Sequence, residues 1–331
     1  MTAIVHDRYG TAPDDVLRLA EVPKPTIAAG EVLVRVHAAS VDRGTWHVMT
    51  GLPYAIRVAG FGLRRPKHLN PGRSLAGTVE AVGPGVTGFA PGDSVFGIGA
   101  GSFAAYVRVR ADKLAPKPAD VSFEQAAAVP VSGLTALQAV RDHGRVQAGQ
   151  KVLIVGASGG VGTFAVQIAK ASGAEVTGVC STAKVDLVRA IGADHVIDYT
   201  RADFADGTHR YDVILDIGGN RRLSHLRRAL TPGGRLVIVG GETDGRWLGG
   251  ADRQVRAGLL SVFVKQKLGT FIATENADGL KALGELIESG KIRPVIDRTY
   301  PLGDVATAIR YLVEGHARGK LVITVHDSDR G

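Results

Sequence analysis

The chain has little of what marks secreted or membrane proteins. It carries a single cysteine, Cys180, which excludes an internal disulfide and a four-cysteine zinc lobe. No apolar run approaches the roughly 18 residues needed to cross a bilayer, which argues against a spanning helix. The opening residues MTAIVHDRYG lack the basic-then-apolar layout of a signal peptide. We therefore expect a cytoplasmic globular protein with no membrane partner.

The acidic residues are too few to balance the basic ones. Lysine and arginine number 40 against 32 acidic residues, which gives a net charge of +8. The basic side chains are dispersed, with local concentrations only at 64–67 and 221–228, and there is neither a basic tail nor an aromatic-interleaved platform for single strands. We interpret the charge as a solvated basic surface, with attraction of a phosphorylated cofactor as the alternative, and we expect no nucleic-acid partner.

A glycine-rich turn is the most informative segment of the chain. In KVLIVGASGGVG, residues 151–162, apolar strand formers break into glycines before a stretch with the apolar spacing of a helix. A small residue at Ala157 permits the tight turn, Gly159 lets a pyrophosphate approach the backbone, and Gly162 lets the helix lie close to the strand. A plain glycine-rich turn is the alternative. The predicted dinucleotide loop comprises Ala157, Ser158, Gly159, Gly160, Val161 and Gly162.

The pattern of predicted strands and helices changes twice along the chain. Residues 1–121 contain short strands and turns, with alternating valines at 32, 34 and 36, as in an antiparallel barrel-like unit. Residues 122–289 alternate strands with helices, which predicts a doubly wound parallel sheet in an α/β fold. Residues 290–331 return to isolated strands around one helix, and we expect them to rejoin the first unit. The predicted strands of the middle part are 152–155, 175–179, 195–197, 213–216, 235–239 and 270–273; the predicted helices are 163–172, 183–191, 223–229 and 277–288.

The end of the second predicted strand indicates which dinucleotide binds. NAD enzymes usually place an acidic residue there, whereas this chain has Ser181, followed by Lys184 and, after the third strand, Tyr199. A carboxylate at 181 would repel a 2′-phosphate by roughly 1 kcal/mol at 4 Å in bulk water, and by several times more near a protein surface. Serine and lysine instead favour NADPH. Ser181 as a helix cap and Lys184 as a solvated residue are alternative roles, and both are compatible with phosphate binding.

Several ordered segments resemble one family. They are AIVHDRYGTAPDDVLRLAEVPKP, LAGTVEAVGPGVTGFAPGDSVFG, AAAVPVSGLTALQAV, the glycine loop with its helix, IGADHVIDY and HARGKLVI. Through them the chain resembles the zinc-independent, quinone oxidoreductase-like branch of the medium-chain dehydrogenase/reductase superfamily. The resemblance implies a GroES-like catalytic domain (1–121 and 290–331), an inserted Rossmann domain that binds NADPH (122–289), and an active site in the cleft between them.

The resemblance also assigns cofactor contacts by position. The pyrophosphate falls at Gly159, Gly160 and Val161, the 2′-phosphate at Ser181, Lys184 and Tyr199, and the nicotinamide half at Thr135 and Gly240. Lys320 resembles a family lysine that closes over the cofactor; a surface lysine before a strand is the alternative. Phe263 and Trp46 are candidate aromatic walls beside the nicotinamide and a flat acceptor, with ordinary core packing as the alternative for each.

The positions of the zinc ligands in metal-dependent relatives favour a metal-free site. They fall here at Asp42, at Arg73 and near 131–132, and a carboxylate, a cation and an apolar or hydroxyl residue do not hold zinc. Without a Lewis acid, hydride addition to a conjugated acceptor is easier than alcohol oxidation, because the acceptor spreads the developing charge. We therefore expect an NADPH-dependent reductase of quinones or α,β-unsaturated carbonyls.

The segment DRGTWHVMTGLPY departs from the family pattern and supplies the acid candidates. The branch usually has asparagine-proline near Asp42, an aspartate near Thr45 and an aspartate at Ser74, so the substrate pocket is altered. Candidates for proton delivery are Asp42, His47 and Tyr54, with solvent as an alternative source. Asp42 paired with Arg43 or Arg73 and a structural His47 are the competing interpretations.

Two other functions stay open at this point. One is reduction of a specific biosynthetic enone or enoyl intermediate, and the other is a catalytically weak NADPH-binding sensor. The altered residues in the substrate pocket are compatible with either. An exposed edge of the nucleotide-binding sheet also invites a homodimer.

Overall fold

The computed structural model describes residues 1–240, 245–247 and 249–325. The chain divides into two compact units. Unit 1 comprises residues 1–132, 275–289 and the segment from 294 onward, and unit 2 comprises 133–274 and 290–293. Residues 122–132 and 275–289, which we assigned to the nucleotide-binding domain, therefore cluster with unit 1.

The first elements along the chain build most of unit 1, and elements are numbered in chain order. The strands are β1 (Thr2–Val5), β2 (Arg18–Glu21), β3 (Glu31–Val41), β4 (Ser74–Val82), β5 (Ser94–Ile98), β6 (Tyr106–Arg110) and β7 (Leu114–Pro116). The helices are α1 (Pro13–Val16), α2 (Arg43–Thr50), α3 (Tyr54–Ile56), α4 (Phe123–Ala127) and α5 (Pro130–Leu137), the last of which runs into unit 2.

The middle elements alternate strands with helices, as predicted, and form unit 2, but the helix between the last two strands was not predicted. They are β8 (Lys151–Val155), α6 (Gly160–Ala171), β9 (Glu175–Cys180), α7 (Val185–Ala190), β10 (His195–Asp198), β11 (Tyr211–Asp216), α8 (Leu223–Arg228), β12 (Leu230–Ile238), α9 (Ala251–Ser261) and β13 (Lys267–Thr270). The chain then returns to unit 1 through α10 (Ala277–Glu288), β14 (Ile296–Pro301), α11 (Val305–Val313) and β15 (Lys320–Thr324).

Unit 1 is built around a largely antiparallel sheet. Its strands follow the order β14-β15-β3-β4-β5-β7, β6 also pairs with β3, and only the β14–β15 pair is parallel. The alternating valines of β3 point inward and are fully buried or nearly so at 32, 34 and 36. The period-two pattern correctly predicted a strand here, but β3 is buried more fully than a half-buried strand, since Leu33 and residues 38–41 are buried too.

Unit 2 is a parallel sheet with the order β10-β9-β8-β11-β12-β13. From β8 the order runs outward in both directions, so the loops after β8, β9 and β11 meet at the carboxyl edge where dinucleotides bind. The structure confirms the doubly wound sheet. The last strand lies three residues earlier than predicted because it pairs in register with β12, from Arg235 opposite Lys267 to Ile238 opposite Thr270.

Replacement of Gly162 tests the packing of α6 on this sheet. A Cβ at Gly162 would lie 2.1 Å from the Gly156 carbonyl oxygen, whereas a Cβ at Gly258 in α9 meets nothing within 4 Å. We expect Gly162→Ala to destabilise the protein by roughly 1–3 kcal/mol through overpacking. The matched Gly258→Ala variant should be neutral or stabilising by up to about 1 kcal/mol, since alanine favours helix. Urea unfolding midpoints measure both, and equal effects would contradict the packing argument.

Candidate functional site

The turn after β8 is fixed by backbone hydrogen bonds to its neighbours. The amides of Gly156 and Ala157 both donate to the Val179 carbonyl at 3.1 Å, and the Gly156 carbonyl accepts from the Gly159 amide at 3.2 Å. Gly156 has a φ of +88°, a conformation that favours glycine. The sequence reasoning had placed the tight turn at Ala157 and missed Gly156, although a glycine directly after a strand was the available signal.

The start of α6 leaves amide groups open to a ligand. Gly159 is the N-cap residue and has no side chain to cap the helix. The first intrahelical bond runs from the Thr163 amide to the Gly159 carbonyl at 2.9 Å, so the amides of residues 160–162 lack intrahelical acceptors. A Cβ at Gly159 would have only the Gly156 oxygen nearby, at 3.6 Å, which shows that the space above the turn is open. A pyrophosphate fits this cradle, because the amides and the helix dipole both favour an anion.

The ends of β9 and β10 form the predicted 2′-phosphate region. Ser181 precedes a 3₁₀ turn at Thr182–Lys184, and both Ser181 and Lys184 are half-buried. The sequence analysis did not single out Asp198, whose carboxylate accepts from the Thr182 hydroxyl at 2.5 Å and from the Thr200 amide at 3.0 Å. The first of these bonds is the main cause of the lowered pKa of Asp198. Tyr199 is 49% exposed, and the Arg221 guanidinium carbon lies 5.5 Å from its ring centroid.

A buried ion pair joins the end of β11 to the first turn of α9. Asp216 is fully buried and pairs with Arg253, which also donates to the Arg221 carbonyl at 2.6 Å. Burial raises the pKa of Asp216, while the charge of Arg253 opposes that shift. The Gly240 amide donates to the Asp216 carbonyl at 3.1 Å, and a Cβ at Gly240 would lie 2.2 Å from the Ile217 oxygen. The sequence analysis selected Gly240 but missed the ion pair, whose partners lie far apart in the chain.

In unit 1, Asp42 caps α2. Its Oδ1 accepts from the Thr45 amide at 3.1 Å, while its buried Oδ2 has no hydrogen-bond partner among the described residues. Lys320 is 1% exposed and donates from Nζ to the Val41 carbonyl at 2.9 Å, so the surface-lysine interpretation is wrong. Burial lowers the pKa of Lys320, and the charge of Asp42 opposes that shift. Contact between Lys320 and a cofactor stays a prediction.

The remaining unit 1 candidates have other partners. His47 Nδ1 lies 2.7 Å from the Leu52 carbonyl, so that nitrogen carries the proton and donates it. The Tyr54 ring lies beneath the Arg57 guanidinium, 4.7 Å from centroid to carbon. Trp46 is partly buried against the barrel core, as its packing alternative predicts.

The residues at the zinc positions of metal-dependent relatives have structural roles. Arg73 pairs with Glu275, which Lys113 also contacts at 2.8 Å, so Arg73 is engaged away from Asp42. The Ser74 hydroxyl accepts from the Val131 amide at 3.3 Å. Across residues 1–240, 245–247 and 249–325, no group of three or more His, Cys, Asp or Glu side chains is placed to hold a metal ion. No helix in this part of the chain is long and apolar enough to cross a membrane.

Two nicotinamide-side candidates lie in unit 2. Thr135 lies in the second half of α5 and is half-buried. Phe263 follows the end of α9 and is 84% exposed, so core packing, the alternative role for this ring, is wrong. Contact between Phe263 and a cofactor stays a prediction.

Comparisons with known proteins agree with this architecture. Residues 28–119 match the alcohol dehydrogenase GroES-like domain, and residues 191–323 match a family described as zinc-binding dehydrogenase. The chain is 34% identical to the mitochondrial NAD(P)H oxidoreductase RTN4IP1 of Mus musculus, over 98% of this chain and 89% of that protein. The quinone oxidoreductase from Coxiella burnetii superposes with a TM-score of 0.84 at 30% identity, covering 98% of this chain and 99% of that one.

A further solved structure, the Escherichia coli quinone oxidoreductase complexed with NADPH, has a TM-score of 0.82 at 26% identity and covers 98% of this chain and 100% of its own. The chain therefore belongs to the medium-chain dehydrogenase/reductase superfamily, in its quinone oxidoreductase-like branch. Membership in this branch makes it an oxidoreductase. The family resemblance and the GroES-like and Rossmann architecture predicted from the sequence are confirmed.

The single cysteine lies at the end of β9 and should be unreactive in the folded protein. Burial, aided by the nearby Asp198 charge, raises the pKa of Cys180 to about 11. Only the thiolate attacks disulfide reagents, so at pH 8 we expect the folded chain to react at least roughly 100-fold more slowly than the unfolded chain. A chromogenic disulfide reagent with and without urea measures this, with Cys180→Ser as the blank. Equal rates in the two states would contradict it.

Proposed function

We propose that the protein is an NADPH-dependent, metal-free reductase of quinones or α,β-unsaturated carbonyls. The observation that carries this proposal is the open amide cradle at the start of α6, together with a serine in place of a carboxylate after β9. The mouse relative is named an NAD(P)H oxidoreductase and the E. coli structure is a complex with NADPH, and both support a nicotinamide cofactor.

In this proposal, different residues of unit 2 contact different parts of the cofactor. The amides of Gly160 and Val161 hold the pyrophosphate, and Ser181, Lys184 and Tyr199 surround the adenosine 2′-phosphate. Gly240 and Thr135 line the nicotinamide half. Bound NADPH supplies a hydride to an electron-poor acceptor. The protein holds the two reactants together, and a conjugated acceptor disperses the developing negative charge through its own π system.

The residues at the zinc positions of relatives argue for chemistry without a resident metal. The second position carries Arg73, a cation already paired with Glu275. The first carries Asp42, whose Oδ1 is committed to the cap of α2. A guanidinium is not a metal ligand, so this set lacks the three donors of a catalytic zinc site.

Asp42 is the side chain best placed to hold the proton that follows the hydride. Its Oδ2 is buried and unpartnered, whereas His47 is committed to the Leu52 carbonyl through Nδ1. A carboxyl group with one free oxygen can donate to an enolate-like oxygen, or relay a solvent proton to it. This role is part of the proposal and is independent of cofactor choice.

Replacement of Asp42 by asparagine tests that role. The amide oxygen can still accept from the Thr45 amide, so the helix cap survives while the acid is lost. We expect kcat to fall by roughly 100-fold or more with the KM for NADPH little changed. Asp304→Asn is the matched control, since Asp304 is an exposed carboxylate at the start of α11 in the same unit. Unchanged turnover in Asp42→Asn would remove Asp42 as the donor.

Cofactor and acceptor preference test the whole proposal. We expect NADPH to have a KM at least roughly tenfold lower than NADH, because a charge-assisted contact to the 2′-phosphate contributes about 1.5 kcal/mol or more. NADPH oxidation, followed by absorbance, should occur with quinones or enals and persist with a chelator. Equal KM values would end the NADPH assignment. Chelator-sensitive alcohol oxidation would overturn the metal-free one, and tight NADPH binding with no turnover would support the sensor alternative.

A further inference from the structure

We propose that Arg221 is a specificity-determining residue that grips the adenosine 2′-phosphate, held in place by Tyr199 and by the Asp216–Arg253 pair. This inference rests on the proposed NADPH function. Arg221 belongs to neither the glycine loop nor the turn after β9, where the sequence reasoning located the cofactor contacts.

The topology brings Arg221 to the required edge of the sheet. Tyr199 directly follows β10, and Arg221 lies in the loop after β11. In the sheet, β9 and β8 separate these two strands. The contact of the guanidinium with the Tyr199 ring, at 5.5 Å, therefore spans the carboxyl ends of β9 and β8. The turn that carries Ser181 and Lys184 begins at the end of β9, one of the two strands that this contact spans.

The backbone of Arg221 is held by a buried anchor. Its carbonyl accepts from Arg253 Nη1 at 2.6 Å, and Arg253 is itself paired with the fully buried Asp216. The loop is thus fixed before any ligand arrives, which lowers the entropic cost of placing the guanidinium. Asp216 is occupied by Arg253 and by the Gly219 amide, which donates to it at 3.3 Å.

The guanidinium of Arg221 remains available for an anion. Its charge acts on the nearby Asp216, but that carboxylate is already bonded to Arg253, and Arg221 is only half-buried. A guanidinium stacked on an aromatic face still presents its N–H edge, which matches a phosphate in bidentate geometry. Arg221 therefore offers a planar pair of N–H donors, whereas the ammonium of Lys184 acts as a point charge.

The local charge balance calls for this second cation. Asp198 places a carboxylate beside the turn that carries Lys184, through the bond from the Thr182 hydroxyl at 2.5 Å. The negative charge of Asp198 weakens the attraction that Lys184 exerts on a dianionic 2′-phosphate. Arg201 lies 3.6 Å from Asp198 but is 76% exposed and therefore largely screened by solvent. The guanidinium of Arg221, beside the Tyr199 ring, adds a positive charge to the predicted 2′-phosphate region.

The test compares two nucleotides that differ only by the phosphate in question. Binding of adenosine 2′,5′-bisphosphate and of 5′-AMP is measured by calorimetry on the full chain, which requires no turnover. We expect Arg221→Met to weaken the bisphosphate by roughly tenfold or more and 5′-AMP by less than twofold. Arg222→Met is the matched control, because Arg222 is the exposed N-cap of α8 and carries the same charge; it should change both affinities by less than twofold.

Further variants and outcomes separate this inference from the proposed function. Arg221→Lys keeps the charge but not the planar pair of N–H donors, and we expect an intermediate loss for the bisphosphate; this variant also serves if Arg221→Met unfolds. If the wild type prefers the bisphosphate and Arg221→Met retains that preference, the role of Arg221 is overturned while NADPH specificity stands. An equal loss in Arg222→Met would also overturn it, since general surface charge would then explain the effect. A wild type that binds both nucleotides equally, or neither, would overturn both proposals.

Discussion

The close approach of α6 to β8 and β9 is the constraint on which the nucleotide-binding unit depends. Gly162 packs so near the Gly156 carbonyl that no side chain fits between them. The same approach fixes the direction of the helix, so the amides at its start point out of the turn rather than into the sheet. The helix geometry leaves those amides without hydrogen-bond partners, and in the proposed function the pyrophosphate supplies them. Helix packing and the proposed binding site thus follow from one backbone arrangement.

Buried charges hold candidate residues in place within each unit. Asp216 and Arg253 join the end of β11 to the first turn of α9, and the Arg253 guanidinium also bonds the Arg221 carbonyl in the loop after β11. In unit 1, the ammonium of Lys320 is buried against the Val41 carbonyl, one residue from Asp42. Burial of a charged side chain is costly unless a hydrogen bond or an opposite charge compensates for it. Arg253 compensates for the charge of Asp216, and the Val41 carbonyl accepts a hydrogen bond from Lys320. In both contacts the two residues lie far apart in the chain.

The patterns that predicted most were those with a local physical cause. The valine alternation of β3 and the glycine turn before α6 each depend on neighbours in the sequence, and both predictions hold in the structure. The last strand of the parallel sheet was misplaced because its bounds follow its pairing with β12 rather than its own composition. Lys320 before β15 was open to a surface interpretation, since a lysine's burial depends on a carbonyl supplied from β3.

By itself the sequence determined the fold class, the family and the glycine turn before α6, because periodicity, glycine spacing and ordered motifs are properties of contiguous residues. Only the tertiary structure decided the environment of each charge. It showed that Asp216 pairs with Arg253, that Asp42 caps a helix beside a buried lysine, and that Arg221 reaches Tyr199. These contacts form because the sheets bring together segments that are distant in the sequence. In a parallel sheet the carboxyl ends of the strands lie along one edge, and in an antiparallel sheet neighbouring strands lie side by side. No single segment determines the solvent exposure and charge of the space that their side chains share.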